Sequence, residues 1–114
     1  MKVMIVDDEP LLQERISKAI SENKKDIKII QALNYKEAVR LFVSEAPDTV
    51  VLDIALPDGS GIKLLRQFKQ ENPMVRIIMF TNFLTADFKQ SCLSYGADFF
   101  LDKSSLKKLM EIIN

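Results

Sequence analysis

The sequence predicts an α/β fold: a five-stranded parallel sheet with helices on both faces. Two observations carry this. Five short apolar runs alternate with five stretches of helical periodicity, and turn-forming residues divide them. The alternation also consumes the chain. No linker, internal repeat or low-complexity segment is left over, so residues 1–114 read as a single domain.

The first strand is the apolar run of residues 2–6, closed by Asp7-Asp8-Glu9-Pro10. Pro10 suits the first turn of a helix, where its missing N–H is not needed. Leu11, Leu12, Ile16, Ala19 and Ile20 then recur at helical spacing up to Asn23. Residues 27–32 predict the second strand. Asn34 is placed to cap a helix with Ala38, Val39 and Phe42 on one face, which Ala46-Pro47 ends. Residues 49–52 are the third strand, β-branched and apolar, with Asp53 directly at its C-terminal end.

Residues 54–61 predict a loop rich in turn formers. The next helix carries Leu64, Leu65 and Phe68 and stops at Asn72-Pro73. Residues 75–80 are the fourth strand, followed by Thr81-Asn82. Residues 85–95 are weakly helical and end at Gly96, a C-cap. Residues 99–101 give a short fifth strand. Asp102-Lys103-Ser104 leads into a last helix with Leu106, Leu109, Met110 and Ile113 on one face.

Composition removes several functions. Sixteen basic residues balance 16 acidic ones, which argues against a nucleic-acid surface. No apolar run approaches the roughly 20 residues of a membrane helix. The chain has no histidine and one cysteine, Cys92. Serine–histidine hydrolysis, His-ligated zinc and Cys-rich zinc sites are therefore removed, as is an intramolecular disulfide. A single thiol fits a reducing, cytoplasmic compartment, and Cys92 reads as a small buried hydrophobe.

In open parallel sheets, sites form at the C-terminal strand ends. Asp7-Asp8 follow the first strand, Asp53 the third, Thr81 the fourth and Lys103 the fifth. Three carboxylates, a hydroxyl and an ammonium thus converge on one edge. Clustered carboxylates raise each other's pKa, and a hard divalent cation relieves this. Mg²⁺ prefers one or two carboxylates with waters and phosphate oxygens. Lys103 offers a point charge suited to phosphate. Asp53 is a natural nucleophile for an acyl phosphate, and phosphoryl transfer asks mainly for positioning and charge neutralisation. Asp58, Gly59 and Gly61 read as turn residues, and Lys107-Lys108 as a solvated face.

Asp7-Asp8, the run Asp53-Ile-Ala-Leu-Pro-Asp58-Gly-Ser-Gly61, Thr81, Gly96-Ala97-Asp98-Phe-Phe100 and Lys103 together resemble the signature of response-regulator receiver domains. The resemblance covers essentially the whole chain, in order. It implies the (βα)5 flavodoxin-like receiver fold and a phosphoacceptor switch of a two-component phosphorelay. Asp53 would be the phosphoacceptor. Asp8 would bind Mg²⁺ directly, Asp7 partly through water, and the Ala55 backbone carbonyl would complete the shell. Thr81 and Lys103 would hold phosphoryl oxygens. Phe100 would be the aromatic that turns inward as Thr81 moves. The implied partners are a sensor histidine kinase or His-phosphotransfer protein, and a downstream protein on the face of the fourth helix, last strand and last helix, near Phe88, Tyr95 and Phe99. The chain would be a monomer or a phosphorylation-dependent dimer, binding neither nucleic acid nor membrane. It would catalyse only its own phosphorylation and dephosphorylation. The Met1 start and balanced charge favour a stand-alone receiver over a piece of a longer regulator.

The sequence departs from the family pattern at two places. Ser104 follows the lysine where proline is usual, and a non-proline cis bond there costs about 2.5–4 kcal/mol. Asn82 follows Thr81 where a small residue is usual. Ala55 offers no polar side chain to aim a hydrolytic water, which predicts a long-lived phosphoryl group.

Other functions fit less well. A dinucleotide site needs a glycine-rich turn after the first strand, where this chain has Asp7-Asp8-Glu9-Pro10. An aspartyl-phosphate phosphatase would want an acid at position 55. A degenerate receiver, acting as a phosphorylation-independent binding module, would have lost an acid or the lysine, and none is missing.

Overall fold

Side-chain alternation along each apolar run sorts the core into two halves. The computed structural model describes residues 1–23 and 26–113. Its main sheet comprises β1 (Lys2–Val6), β2 (Lys28–Ala32), β3 (Thr49–Leu52), β6 (Arg76–Thr81) and β7 (Phe99–Asp102), in the order β2-β1-β3-β6-β7. Every pairing in it is parallel. Two short strands, β4 (Ala55–Leu56) and β5 (Gly59–Ser60), form a separate antiparallel hairpin. The helices are α1 (Pro10–Asn23), α2 (Tyr35–Glu45), α3 (Gly61–Glu71), α4 (Ala86–Ser94) and α5 (Leu106–Ile113).

Successive strand residues point to opposite faces. Val3, Ile5, Val51, Ile78 and Phe80 pack with Leu12, Ile16 and Ile20 of α1 and Leu109 and Ile113 of α5. Met4, Val6, Val50, Leu52, Ile77 and Met79 pack with Phe42 of α2, Leu64, Leu65 and Phe68 of α3, and Cys92 of α4. Within this second half, the Phe42 and Phe68 rings stack with centroids 4.0 Å apart, joining α2 to α3. Because β1 is flanked by β2 and β3, the chain reverses its winding there. The C-terminal ends of β1 and β3 therefore open a crevice between them.

The expected sheet, helices and caps are present, with four differences. Residues 54–61 are not an unstructured loop, because residues 55–60 fold back as the hairpin. On α1, Leu11 is 75% exposed and Gln13 lies on the buried face in its place. Leu11 faces outward, and Gln13 turns inward because its amide donates to the carbonyls of Ile5, Asp7 and Ala32. Val75 is buried but lies just outside β6, and Ile27 lies just outside β2. Among the described residues the peptide bonds are trans, Lys103–Ser104 included. Gly96 ends α4 as expected, with φ +102°. Its N–H donates to Leu93 O and the Ala97 N–H donates to Cys92 O, a Schellman closure. No helix among the described residues is long and apolar enough to cross a membrane.

Candidate functional site

Backbone bonds carry the sheet one step past its strands and fix the acids there. The Asp7 N–H donates to Ala32 O, and the Asp53 N–H donates to Val6 O, each at 3.1 Å. Gln13 strengthens this corner from α1. Its buried side-chain amide lies 2.8 Å from Ile5 O, 3.0 Å from Ala32 O and 3.2 Å from Asp7 O. On the other side of the crevice, the Lys103 N–H donates to Thr81 O at 3.1 Å. The sheet thus brings four of its C-terminal ends to one place.

The side chains complete a charge cluster. Lys103 Nζ lies 2.8 Å from Asp53 Oδ2, 2.9 Å from Asp7 Oδ2 and 3.2 Å from Glu9 Oε1. The Asp7, Asp53 and Lys103 side chains are each at most 10% exposed, so their charges interact with little screening. Asp53 Oδ1 also accepts from the Ile54 N–H at 2.7 Å, and Asp7 Oδ1 accepts from the Glu9 N–H at 3.0 Å. Burial raises the pKa of Asp7 above the ordinary carboxylate value, and its bonds from Lys103 and Glu9 only partly offset this. For Lys103, burial opposes the charged amine. The bonds and charges of Asp53 and Asp7 outweigh it and hold the amine protonated well above its usual range.

Asp8 is exposed at the rim, yet it belongs to the same cluster. Asp7, Asp8 and Asp53 each offer an oxygen, all within 4.8 Å of one another. An all-carboxylate set with one exposed member suits a hard cation that keeps several waters, so the donor chemistry fits Mg²⁺. Lys103 alone cannot balance the three acids and Glu9. Ala55 sits two residues beyond Asp53, exposed, at the start of β4.

Thr81 is fully buried at the end of β6, and its hydroxyl oxygen accepts from the Phe83 N–H at 3.2 Å. Phe100 is half-buried and packs against the α2–α3–α4 half of the core. Its place in β7 is opposite Met79, beside the β6 residues that lead to Thr81. Phe99 is exposed. Tyr95 is not simply a feature of the face shared by α4, β7 and α5, because Arg66 of α3 lies over its ring at 4.5 Å. Cys92 is fully buried, and burial pushes its thiol up to about 11, which keeps it unreactive.

Glu9 and Gln13 had no site role assigned from the sequence, and Asp58 was read only as a turn residue. Glu9 contributes a third carboxylate to Lys103. Gln13 anchors the end of β1, and a signal existed: a polar residue three before Ile16 on an apolar helix face. Asp58 does more than turn the chain. Its carboxylate accepts from the Tyr35 N–H at 2.6 Å and the Lys36 N–H at 3.1 Å. No local pattern announces a bond between residues so far apart in sequence.

Comparison with known proteins addresses the chain as a whole. The model of the response regulator receiver domain matches residues 3–114. The response regulator protein PilR of Pseudomonas aeruginosa is 35% identical over 113 residues, covering 98% of this chain and 25% of that protein. The probable transcriptional regulatory protein TcrX of Mycobacterium tuberculosis is 33% identical, covering 89% of this chain and 42% of its own length. The chain spans well under two thirds of these relatives. Among solved structures, a LuxR-family two-component response regulator from Aurantimonas sp. SI85-9A1 superposes with a TM-score of 0.88 at 31% identity, over 98% of this chain and 81% of that one. A CheY-like receiver domain from Methanospirillum hungatei gives 0.91 at 24% identity, over 98% and 89%, and supports the fold alone. The family match takes in every strand of the sheet and each strand-end residue described above, and the chain belongs to the response regulator receiver domain family.

Proposed function

We propose that this receiver is a working phosphoacceptor switch in which Asp53 takes a phosphoryl group from a partner's phosphohistidine. The observation that carries the reading is the buried pairing of Asp53 and Asp7 on one ammonium, Lys103, at 2.8 and 2.9 Å. Such an arrangement aims a carboxylate oxygen while keeping a cation ready for the incoming oxygens. In the transfer, an Asp53 carboxylate oxygen forms the new O–P bond. The P–N bond to the donor imidazole breaks, and its electron pair leaves with the nitrogen.

Asp53 loses its formal charge on becoming the acyl phosphate, and Lys103 turns from the carboxylate to a phosphoryl oxygen. Thr81 donates its hydroxyl to another of those oxygens. Asp7, Asp8, Asp53 and the Ala55 carbonyl would hold Mg²⁺, which supplies charge neutralisation for the phosphoryl oxygens during transfer. Phe100 follows Thr81 and carries the change to the surface of α4, β7 and α5.

The donor is a sensor histidine kinase or a His-phosphotransfer protein in the cytoplasm. The output is contact between the α4–β7–α5 face and a downstream protein or a second copy of the chain. Light scattering with and without beryllofluoride separates those two.

The test is intact mass after incubation with acetyl phosphate and Mg²⁺, for wild type and Asp53→Asn. The expected result is a gain of one phosphoryl group that requires Mg²⁺ and is lost in Asp53→Asn. No gain in wild type at any Mg²⁺ concentration would remove the phosphoacceptor reading.

A further inference from the structure

An aspartate that merely shapes a turn bonds to backbone N–H groups inside its own turn. The Asp58 carboxylate takes its own N–H but also spans to α2. It takes the Tyr35 N–H on one oxygen and the Lys36 N–H on the other, at 2.6 and 3.1 Å. These are first-turn donors without partners inside the helix. The helix has capping of its own. Asn34 takes the Glu37 N–H at 2.8 Å, and the Glu37 carboxylate returns to the Leu33 N–H at 2.9 Å. Its start is solvent-exposed, so water can serve Tyr35 and Lys36 in the absence of Asp58. The structural consequence of the Asp58 bonds therefore falls on the other partner, the hairpin.

That hairpin needs outside support. Each of its strands is two residues long, too short to hold a position alone. Besides Asp58, it rests on the Tyr35 ring. A Cβ added at Gly59 would lie 2.6 Å from Tyr35 Cδ2 and 2.9 Å from Cγ, so the backbone is already in contact with the ring face. At its base, the Gly61 N–H donates to Ile54 O at 2.7 Å. The segment between these supports contains Ala55, and it leaves β3 directly through Asp53.

We infer that Asp58 is a positioning residue for the phosphoacceptor loop, clamping the 55–60 hairpin to the first turn of α2 and so fixing the Ala55 carbonyl beside Asp53. The inference rests on the function proposed above, because Ala55 matters there as a metal ligand. A clamp of this kind acts through the groups it orients. Loss of such outer support lowers metal affinity by about 10-fold or more.

The experiment is an Mg²⁺ titration of the full chain without phosphodonor, following the backbone amide NMR signals of Ile54 and Ala55. Asp58→Ala raises the Mg²⁺ Kd about 10-fold, and Asp58→Asn, which keeps one acceptor oxygen, falls between it and wild type. The half-saturating Mg²⁺ for acetyl phosphate labelling moves by the same factor, with a smaller change in the plateau rate. A role confined to stabilising α2 would lower the melting temperature and leave the Kd alone. A folded Asp58→Ala chain with the wild-type Kd overturns the inference.

If Asp58→Ala does not fold, Gly59→Ala decides the matter. It keeps Asp58 and pushes the hairpin from the Tyr35 ring, so an unchanged Kd there overturns the inference equally. Wild type that binds Mg²⁺ with the expected dependence on Asp58, yet takes no phosphoryl group, removes the proposed function and sustains the clamp. Wild type that binds no Mg²⁺ overturns both.

Discussion

Lys103 determines the electrostatic state of the strand-end cluster. It is the ammonium shared by two buried carboxylates, and Asp7 already has a raised pKa with that ammonium in place. Replacing Lys103 by Met keeps the stem and removes the charge. Asp7 and Asp53 then face each other without a counter-ion, and breaking a buried pair in this way costs about 3 kcal/mol or more. The expected result is a lower urea midpoint for Lys103→Met in chelator, with much of the loss recovered in millimolar Mg²⁺. Equal midpoints for the two proteins in chelator would show that the acids do not depend on Lys103. At this scale the sequence was informative where a polar residue ended an apolar strand, as for Asp53 and Lys103. It was silent on Glu9, because a third acid in a row looks the same whether it faces solvent or the amine.

The strands and helices were legible because each carries a period long enough to detect. The 55–60 hairpin was not, since two residues per strand give no alternation to count. Its geometry is set by a segment distant in sequence, the first turn of α2, where Tyr35 and Lys36 hold Asp58 and the Tyr35 ring meets Gly59. Gly61 shows how tight that geometry is. An added Cβ would lie 1.8 Å from Asp53 O and 2.8 Å from its carbonyl carbon, both backbone atoms that cannot rotate away. Gly61→Ala must therefore shift the start of α3 or the end of β3. The expected cost is about 2–3 kcal/mol in urea unfolding, together with slower phosphorylation, because Asp53 moves with its backbone. A Gly61→Ala protein with both the wild-type midpoint and the wild-type labelling rate would mean that the loop yields freely and does not hold Asp53.

The whole molecule is a sheet between two helical layers, with the site at the end where β1, β3, β6 and β7 finish. β2 and α2 lie to one side of it, and the segment from Thr81 to Lys103 lies to the other. On the proposed function, signal would leave by the second side through two named bonds. The Thr81 hydroxyl accepts from the Phe83 N–H, and the Thr81 carbonyl accepts from the Lys103 N–H. If Thr81 turns toward a phosphoryl oxygen, the Phe83 bond is the one that breaks. Phe83 and Leu84, which follow directly, are about half exposed and free to repack. Beryllofluoride with Mg²⁺, standing in for the phosphoryl group, should therefore speed amide hydrogen exchange at Phe83 and alter protection between residues 82 and 103. Protection in β2, on the far edge of the sheet, should stay unchanged. Faster exchange confined to β2, or an unaltered Phe83 amide in the loaded protein, would mean that Thr81 does not couple the site to α4. With Phe83 released and β2 unmoved, the change would be confined to the side that carries α4 and β7, as the proposed output face requires.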